Sequence, residues 1–351
     1  MESEELVRAA ASGRIVKGAD LTGARLAGLN LAGLVLEKAD LRGADLGRAV
    51  LAKAVFVNCD LREARLPEAD LTGAHLVGCD LGGAVFDRAK LGSCELEGCA
   101  LAGADFTEAD LRQCALTGCD CSGAVFARAA AEKAVFTRCL FVRTDFTGAN
   151  LTRAMLKGAD LTSAALGGAT LFKAFCQGAD IRGLSLAGCD PRLAILREAK
   201  AAGTDFSGLD LTQISLAGAD IEKARFVNAR GRFAGFAGAN APRADFSGCR
   251  LEQADFSGAC LTEAVFAGSS LVKSLFPGVK ALLADFSRAD LSLADLSRAH
   301  VQSAAFTGAN LTQARLHKTD MAGARTEGAA LTGIRPTDPD LARAEEFDPD
   351  A

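Results

Sequence analysis

The chain has 351 residues, 49% of them hydrophobic, with 20 Phe but no Trp and no Tyr. Its formal net charge of −5 lies in the tail after Arg335, and the preceding residues carry equal numbers of acidic and basic side chains. This balance argues against direct nucleic-acid binding, and the frequent charged residues leave no apolar run long enough to cross a membrane.

The first predicted element is a short helix at the amino end. Residues 3–11 place Leu6, Val7 and Ala10 on one side, which predicts a helix that covers the open edge of the structure that follows. The acidic start lacks the basic and apolar regions of a secretory signal. We therefore expect a cytoplasmic protein in which residues 1–18 form an N-terminal helical cap.

A five-residue pattern follows without insertion or deletion. From Leu21 to Leu331 there are 63 consecutive pentads, and Leu or Phe fills the central position, here called i, in 50 of them. A small residue, usually Ala, stands at i−2. These two positions point to the same side of an extended segment, whereas a helix would need spacings of three and four. The pattern therefore predicts short strands joined by bends, in one repeat domain over residues 19–335.

The pattern resembles that of the pentapeptide-repeat family, A-(D/N)-L-x-x. Clear copies are Ala-Asp-Leu-Arg-Gly at 39–43, Ala-Asn-Leu-Thr-Arg at 149–153 and Ala-Asn-Leu-Thr-Gln at 309–313. The resemblance implies an all-β fold: a right-handed quadrilateral parallel β-helix with four pentads per coil, hence about 16 coils, and short terminal helices. A column of Phe at 20-residue intervals supports four pentads per coil independently. It contains Phe86, Phe106, Phe126, Phe146, Phe206, Phe226, Phe246, Phe266, Phe286 and Phe306.

The 12 cysteines follow the same phase. Nine stand at i−2, where Ala is usual, and only Cys260 is expected to face outward. A free Cys behaves as a small buried hydrophobe, so we predict inert thiols in a reducing compartment, with no metal and no cofactor. Disulfides or metal binding are the alternative for one column, because neighbouring rungs would lie about 4.8 Å apart. That column contains Cys59, Cys79, Cys99, Cys119 and Cys139.

Two stretches depart from the regular pattern. Over 184–214, Pro191 occupies a central position and cannot donate to a ladder, which predicts either a hinge or a repacked coil. Over 229–243, the centres shrink to Gly231 and Ala241 while basic residues gather. This second stretch is either a positive patch or a mixed solvated surface, because acidic residues lie close by.

One outward column is apolar where the family would place Asp or Asn. On the face that begins at Leu36, position i−1 is apolar over four successive coils, and two more apolar residues lie near the adjoining corner. Contiguous exposed apolar surface is the usual mark of a partner site. A strip too thin to matter is the alternative. The predicted partner-binding residues are Val135, Met155, Phe172, Phe175, Leu193 and Ile195.

The last predicted element is a short helix in an acidic C-terminal tail, residues 336–351. Asp338 is suited to its N-cap, and Leu341, Ala344 and Phe347 would form its apolar side. We expect it to cap its own coil or, as in some members of the family, to join two copies.

The residue types give no sign of catalysis. His75, His300 and His317 are dispersed along the predicted rod, so no catalytic, cofactor-binding or metal site and no small-molecule substrate is predicted. The favoured hypothesis is a non-enzymatic protein–protein interaction scaffold, or adaptor, whose rigid surface meets a protein partner or a second copy. The resemblance suggests an accessory of a bacterial secretion system. The alternative is a DNA mimic that binds a type II topoisomerase (gyrase), for which the balanced body lacks the needed negative field.

Overall fold

Backbone pairing in the computed structural model joins most extended segments to the segment that follows 20 residues later in the same unit. The chain divides into a first unit, Met1–Asp180, and a second unit, Ile181–Ala351. The structure describes residues 3–345.

The regular elements are short. The first helix, α1, spans Ser3–Ser12 and buries Leu6 and Ala9, close to the helix predicted over 3–11. Seven three-residue strands of the first unit pair in parallel and in chain order. They are β1 Ile15–Lys17, β2 Val35–Glu37, β3 Val55–Val57, β4 His75–Val77, β5 Glu95–Glu97, β6 Ala115–Thr117 and β7 Val135–Thr137.

Single-residue bridges supply the other three ladders beside the strands β1–β7 and all four ladders of the second unit. In the first unit they begin with Asp20 and Asp40, Arg25 and Asp45, and Asn30 and Val50. The same 20-residue offset recurs within the second unit, so the predicted parallel β-solenoid is confirmed. The estimate of about 16 coils came from counting pentads, whereas the regular strands cover only six 20-residue steps, all in the first unit.

The Phe column fills one interior face, as predicted. The rings of Phe86, Phe106 and Phe126 are fully buried and stack with centroids 4.7 and 4.9 Å apart. In the second unit the same column stacks from Phe206 to Phe306 at 4.6–5.1 Å. The 20-residue repeat places each ring directly over its predecessor.

The second unit holds an additional stack that the sequence analysis did not single out. Phe236, Phe256 and Phe276 stack at 4.7 and 5.0 Å on the neighbouring face. Their rings meet the first stack edge to face; Phe256 and Phe266, for example, lie 5.4 Å apart at 87°. Both geometries are favourable for aromatic rings, so two neighbouring interior faces of this unit are lined by Phe.

The corners explain the rest of the pentad. Residue i+2 adopts a left-handed backbone, as at Gly43 (φ 62°) and Arg48 (φ 57°). The Asp at i−1 accepts a hydrogen bond from the backbone N–H at i+1; Asp40 Oδ1 lies 3.1 Å from Arg42 N. An Asp or Asn at i−1 therefore stabilises the turn that follows it.

Polar residues at the buried i−2 position share one hydrogen bond. Most of their side chains donate to the carbonyl oxygen 23 residues earlier, as Cys94 does to Leu71 at 2.8 Å and Thr144 to Cys121 at 2.8 Å, whereas Ser269 donates to Phe266 O. This bond satisfies the buried group, so Cys or Thr can replace Ala there. All 12 cysteines are free, and ten are buried. Cys139 and Cys260 are the two half-buried cysteines, and the Sγ of Cys139 still donates inward to Leu116 O, as its i−2 position predicts.

The stretch over 184–214 interrupts one ladder of the second unit. No bridge joins Asp190 to Asp210 in the part of the chain that the structure describes, although Lys200 pairs with Asp220. Pro191 has no N–H to donate at this rung. The interior stays filled, since Ile214 is buried at a position where Ala is usual.

The stretch over 229–243 is a repacked coil with an intact ladder. A side chain added at Gly231 would approach Leu251 to 2.8 Å, so neighbouring leucines occupy the space that the small centre leaves. Of the basic residues here, Arg225 lies 3.6 Å from Asp205 and Arg243 lies 2.9 Å from Glu263. These pairs favour the mixed solvated surface over a positive patch.

The second helix, α2, spans Pro339–Ala344. Asp338 caps it as predicted, accepting hydrogen bonds from Asp340 N and Leu341 N. Its predicted apolar side is not buried, because Leu341 and Ala344 are exposed, and Phe347 lies outside the described residues. Within residues 3–345 neither helix has the length or the apolar content needed to cross a bilayer.

Candidate protein-binding face

An outward ladder of apolar side chains lies in the first unit. Val135 bridges Met155, and Met155 bridges Phe175, so these three predicted residues are brought together. Val135 is half-buried, whereas Met155 and Phe175 are 45% and 41% exposed. We call this ladder the apolar strip. The side chain of Met155 points outward, because Ala154 and Leu156, the residues before and after it, are fully buried.

Apolar residues also occupy this position of the coil at the start of the first unit. Ile15, Val35 and Val55 occupy it in the strands β1–β3, a run that the sequence analysis overlooked. β-branched residues suit a half-buried strand surface, and Val135 belongs to β7. Strand propensity therefore accounts for the valines. It does not account for Met155 and Phe175, which lie beyond the regular strands.

The other predicted residues are less exposed. Phe172, at the adjoining corner, is half-buried, and the Nζ of Lys173 lies 5.1 Å from the centre of its ring. Leu193 and Ile195 belong to the second unit, where both are half-buried and Ile195 bridges Ser215. The apolar strip of the first unit is thus the best-defined part of the predicted site.

Basic side chains border the apolar strip. Arg153 and Lys157 lie on either side of Met155 along the chain, and all three side chains are exposed. Lys133 and Lys173 occupy the same position as Arg153 in the preceding and following coils. The sequence analysis missed these cations, which the same 20-residue step would have revealed.

A gap in the backbone pairing lies on the adjoining face. Leu140 bridges Asp120, but no bridge joins it to Asp160 in the described part of the chain. Leu140 is 58% exposed and Val142 is 50% exposed. Leu140 stands at i−1, so it cannot accept the turn-stabilising hydrogen bond that Asp120 accepts from Ser122 N. The turn after Leu140 thus lacks this bond, although Val85 and Val125 lack the same acceptor and keep both of their bridges.

An exposed apolar residue of the second unit offers a comparison. Leu275 has the same phase as Phe175 and a similar exposure of 42%. It bridges Asp255 and Asp295, so its ladder neighbours are acidic rather than apolar. Leu275 is therefore an isolated exposed side chain and not part of a strip.

His75 and His317 have hydrogen-bonding or charged partners within the fold. His75 Nδ1 lies 3.0 Å from Glu95 on the surface. His317 is buried, accepts a hydrogen bond from Asp338 N at Nδ1 and faces Glu345 with Nε2. Among residues 3–345, no group of three or more His, Cys, Asp or Glu is placed to hold a metal ion.

The fold defines a parallel β-solenoid built from five-residue repeats, and the family comparison agrees. The model "Pentapeptide repeats (8 copies)" matches ten segments, and the model "Pentapeptide repeat region" matches 89–166. The chain belongs to the pentapeptide repeat family. The ten segments are 5–43, 16–51, 30–66, 64–103, 174–213, 194–230, 210–248, 232–268, 259–298 and 302–335.

Solved structures of similar proteins are also pentapeptide repeat proteins. A protein of the Arabidopsis thaliana thylakoid lumen is 36% identical over 28% of this chain and 69% of its own, with a TM-score of 0.26. HetL of the cyanobacterium Nostoc, involved in heterocyst differentiation regulation, is 24% identical over 94% of each chain, with a TM-score of 0.24. QnrB1, a plasmid-mediated fluoroquinolone resistance protein, is 19% identical over 56% of this chain and 89% of its own, with a TM-score of 0.32. No curated protein matches the sequence.

Proposed function

We propose that this protein is a non-enzymatic interaction scaffold whose partner contacts the apolar strip and Phe172 of the first unit. Leu193 and Ile195 of the second unit are proposed separately as partner-binding residues. The observation that carries the proposal is the exposure of Met155 and Phe175 on successive rungs of one ladder. The interior needs neither side chain, because Ala154 and Leu156 fill the core beneath. Exposed apolar area is unfavourable in water by about 25 cal/mol per Å², and a protein contact would remove it.

Phe175→Asp tests the proposal. The variant should fold with a nearly unchanged melting temperature, because residue 175 lies outside the core. It should lose the partner, since the contact would desolvate a carboxylate. The measurement compares the proteins captured from the native host by the wild type and the variant, and sedimentation velocity reports self-association.

Leu275→Asp is the matched control. It introduces the same charge at the same phase and a similar exposure, but outside the apolar strip. Support requires interactions that the wild type and Leu275→Asp retain and Phe175→Asp loses. Equal binding by all three proteins would overturn the proposed site, and unfolding of Phe175→Asp would show that residue 175 belongs to the core.

A DNA mimic for gyrase is the alternative function, and the charges weigh against it. Asp40 and Asp60 follow the regular spacing that a mimic needs, but Arg42 lies 2.6 Å from Asp40 and Arg62 pairs with Asp60. The side-chain hydrogen bond from Arg42 lowers the pKa of Asp40 to about 2. The carboxylate stays ionised, but the paired arginine cancels its field. Inhibition of gyrase supercoiling by the purified protein would favour the mimic.

Other assignments are proposals supported by the sequence. These are a cytoplasmic location, service to a bacterial secretion system, and the division into a cap (1–18), a repeat domain (19–335) and an acidic tail (336–351). Burial of Leu6 and Ala9 in α1 supports the capping role. Service to a secretion system rests on the family resemblance alone.

A further inference from the structure

Corner side chains of the first unit alternate in charge from coil to coil. Arg48 lies 3.0 Å from Glu68, and Glu108 lies 2.9 Å from Arg88 and 3.0 Å from Arg128. Successive residues of this column are 20 positions apart and therefore about one strand spacing from each other. Opposite charges on neighbouring rungs attract, so this arrangement suits the folded chain by itself.

The corner column beside the apolar strip does not alternate in charge. Lys133, Arg153 and Lys173 carry the same charge on three successive coils, and no ion pair is found for any of them among the described residues. Like charges at this spacing repel one another. Apart from the contact of Lys173 with the ring of Phe172, this column contributes repulsion to the folded chain, so an external anion is a fitting counterpart of these cations.

The geometry points to a binding surface for an acidic protein segment that also carries large apolar side chains. We propose that such a segment lies along the apolar strip, with its apolar side chains on Met155 and Phe175. Its carboxylates then meet Lys133, Arg153 and Lys173 on one side and Lys157 on the other. This inference rests on the proposed scaffold function and specifies the chemistry of its partner.

The centre of the surface favours a protein over a nucleic acid. Of the three side chains of the apolar strip only Phe175 is aromatic, whereas binding of single-stranded nucleic acid relies on aromatic platforms for successive bases. The ring of Phe172 is covered by Lys173. An apolar ridge beside cations instead matches a peptide that alternates carboxylates with aliphatic or aromatic residues.

Arg153→Glu gives a sharp test, because stability and binding should move in opposite directions. The substitution places a carboxylate between Lys133 and Lys173 and so makes the column alternate in charge. Glu is accepted at this left-handed corner position, as at Glu68 (φ 56°). The melting temperature should stay the same or rise. Binding of an acidic apolar segment should weaken roughly tenfold or more, since one attraction is replaced by a repulsion.

The probe is a fluorescent 12-residue peptide that alternates Glu with Leu and Phe, measured by anisotropy against the full chain. Two matched peptides replace Glu by Gln or the apolar residues by Ser, and a 12-nucleotide single strand serves as a polyanion. The site variant carries Lys133→Ser, Arg153→Ser and Lys173→Ser. The control variant carries Arg48→Ser, Arg88→Ser and Arg128→Ser, which removes the same charge from the alternating column.

The inference predicts that only the first peptide binds well, that added salt weakens it, and that the site variant but not the control variant loses it. Equal loss in both variants, or equal binding of the Ser peptide or the oligonucleotide, would overturn the inference and indicate general attraction of anions.

Capture of the partner separates this inference from the scaffold function. If the captured partner is lost with Phe175→Asp but kept by Arg153→Glu and the site variant, the scaffold function stands and the acidic segment is wrong. If all of these variants keep the partner, both proposals fail.

Discussion

The carboxylate of Glu345 lies 2.5 Å from Nη2 of Arg298, and this contact fixes the end of α2 to its own unit. The same carboxylate lies 3.2 Å from Lys318 Nζ and 3.4 Å from Nε2 of the buried His317. At the other end of the helix, Asp338 N donates to His317 Nδ1. Polar contacts thus hold α2 where its apolar side does not. This supports the expectation that the helix caps its own coil.

Glu345→Gln should loosen α2. Burial opposes ionisation of Glu345, but hydrogen bonds from Arg298, Lys318 and His317 outweigh it and lower the pKa to about 2, from a usual value near 4.5. Since the folded pKa is depressed, the stabilisation is complete above about pH 4.5 and is lost as the pH falls toward 2. The hydrogen-exchange protection factors of Leu341–Glu345, which are corrected for the intrinsic pH dependence of exchange, should therefore fall in acid in the wild type.

In the variant these protection factors should be low at all pH values, because it lacks the titrating group. Asp340→Asn is the control, since Asp340 is highly exposed and its ion-pair partner is Arg343 of the same helix at 3.7 Å. Similar exchange in the control and in Glu345→Gln would show that the Glu345 contacts do not hold the helix.

Phe106→Ala should destabilise the first unit by roughly 3–5 kcal/mol, the usual cost of a large cavity. Phe106 is fully buried between Phe86 and Phe126, which would both lose their stacking partner. Urea unfolding measures the change in free energy. Phe106→Leu is the control, because Leu fills most centres, and it should cost less. Equal stability of Phe106→Ala and the wild type would contradict the stacked core.

Thiol titration of the native protein should detect mainly Cys139 and Cys260, the two half-buried cysteines. Burial raises the pKa of Cys94, Cys176 and Cys249 to about 12, which suppresses the reactive thiolate. All 12 should react after denaturation. Cys139→Ser should lower the native count by one, and rapid reaction of Cys94 in the native state would contradict the buried core.

The sequence predicted the fold well because every pentad repeats the same local rules. Ala39 and Leu41 point inward, Asp40 stabilises the turn, and Gly43 adopts the left-handed corner, so one copy specifies its structure almost alone. Stacking at 20 residues then follows from the Phe column. Long-range information was hardly needed for the interior.

The surface was harder to predict because it depends on neighbours in successive coils. Arg153 is unremarkable in one pentad, and its meaning appears only beside Lys133 and Lys173. Likewise, the gap between Leu140 and Asp160 becomes visible only when successive coils are compared. The sequence shows that Leu140 stands where Asp is usual, but only the structure shows the turn hydrogen bond that this replacement removes.

That gap supports a last prediction. Leu140→Asn should raise the free energy of unfolding by about 0.5–1.5 kcal/mol, the usual net value of one hydrogen bond. Val142 N has no partner among the described residues, and Asn can serve as the acceptor, as Asn150 does for Thr152 N at 3.1 Å. Asn also avoids adding a charge next to Asp120 and Asp160.

The matched opposite change is Asp120→Leu, which removes the bond from Ser122 N and should destabilise the protein by a similar amount. Both effects are measured by urea unfolding. If Leu140→Asn destabilises the protein, Leu140 contributes packing that outweighs the missing turn, and the absent acceptor is not the cause of the gap.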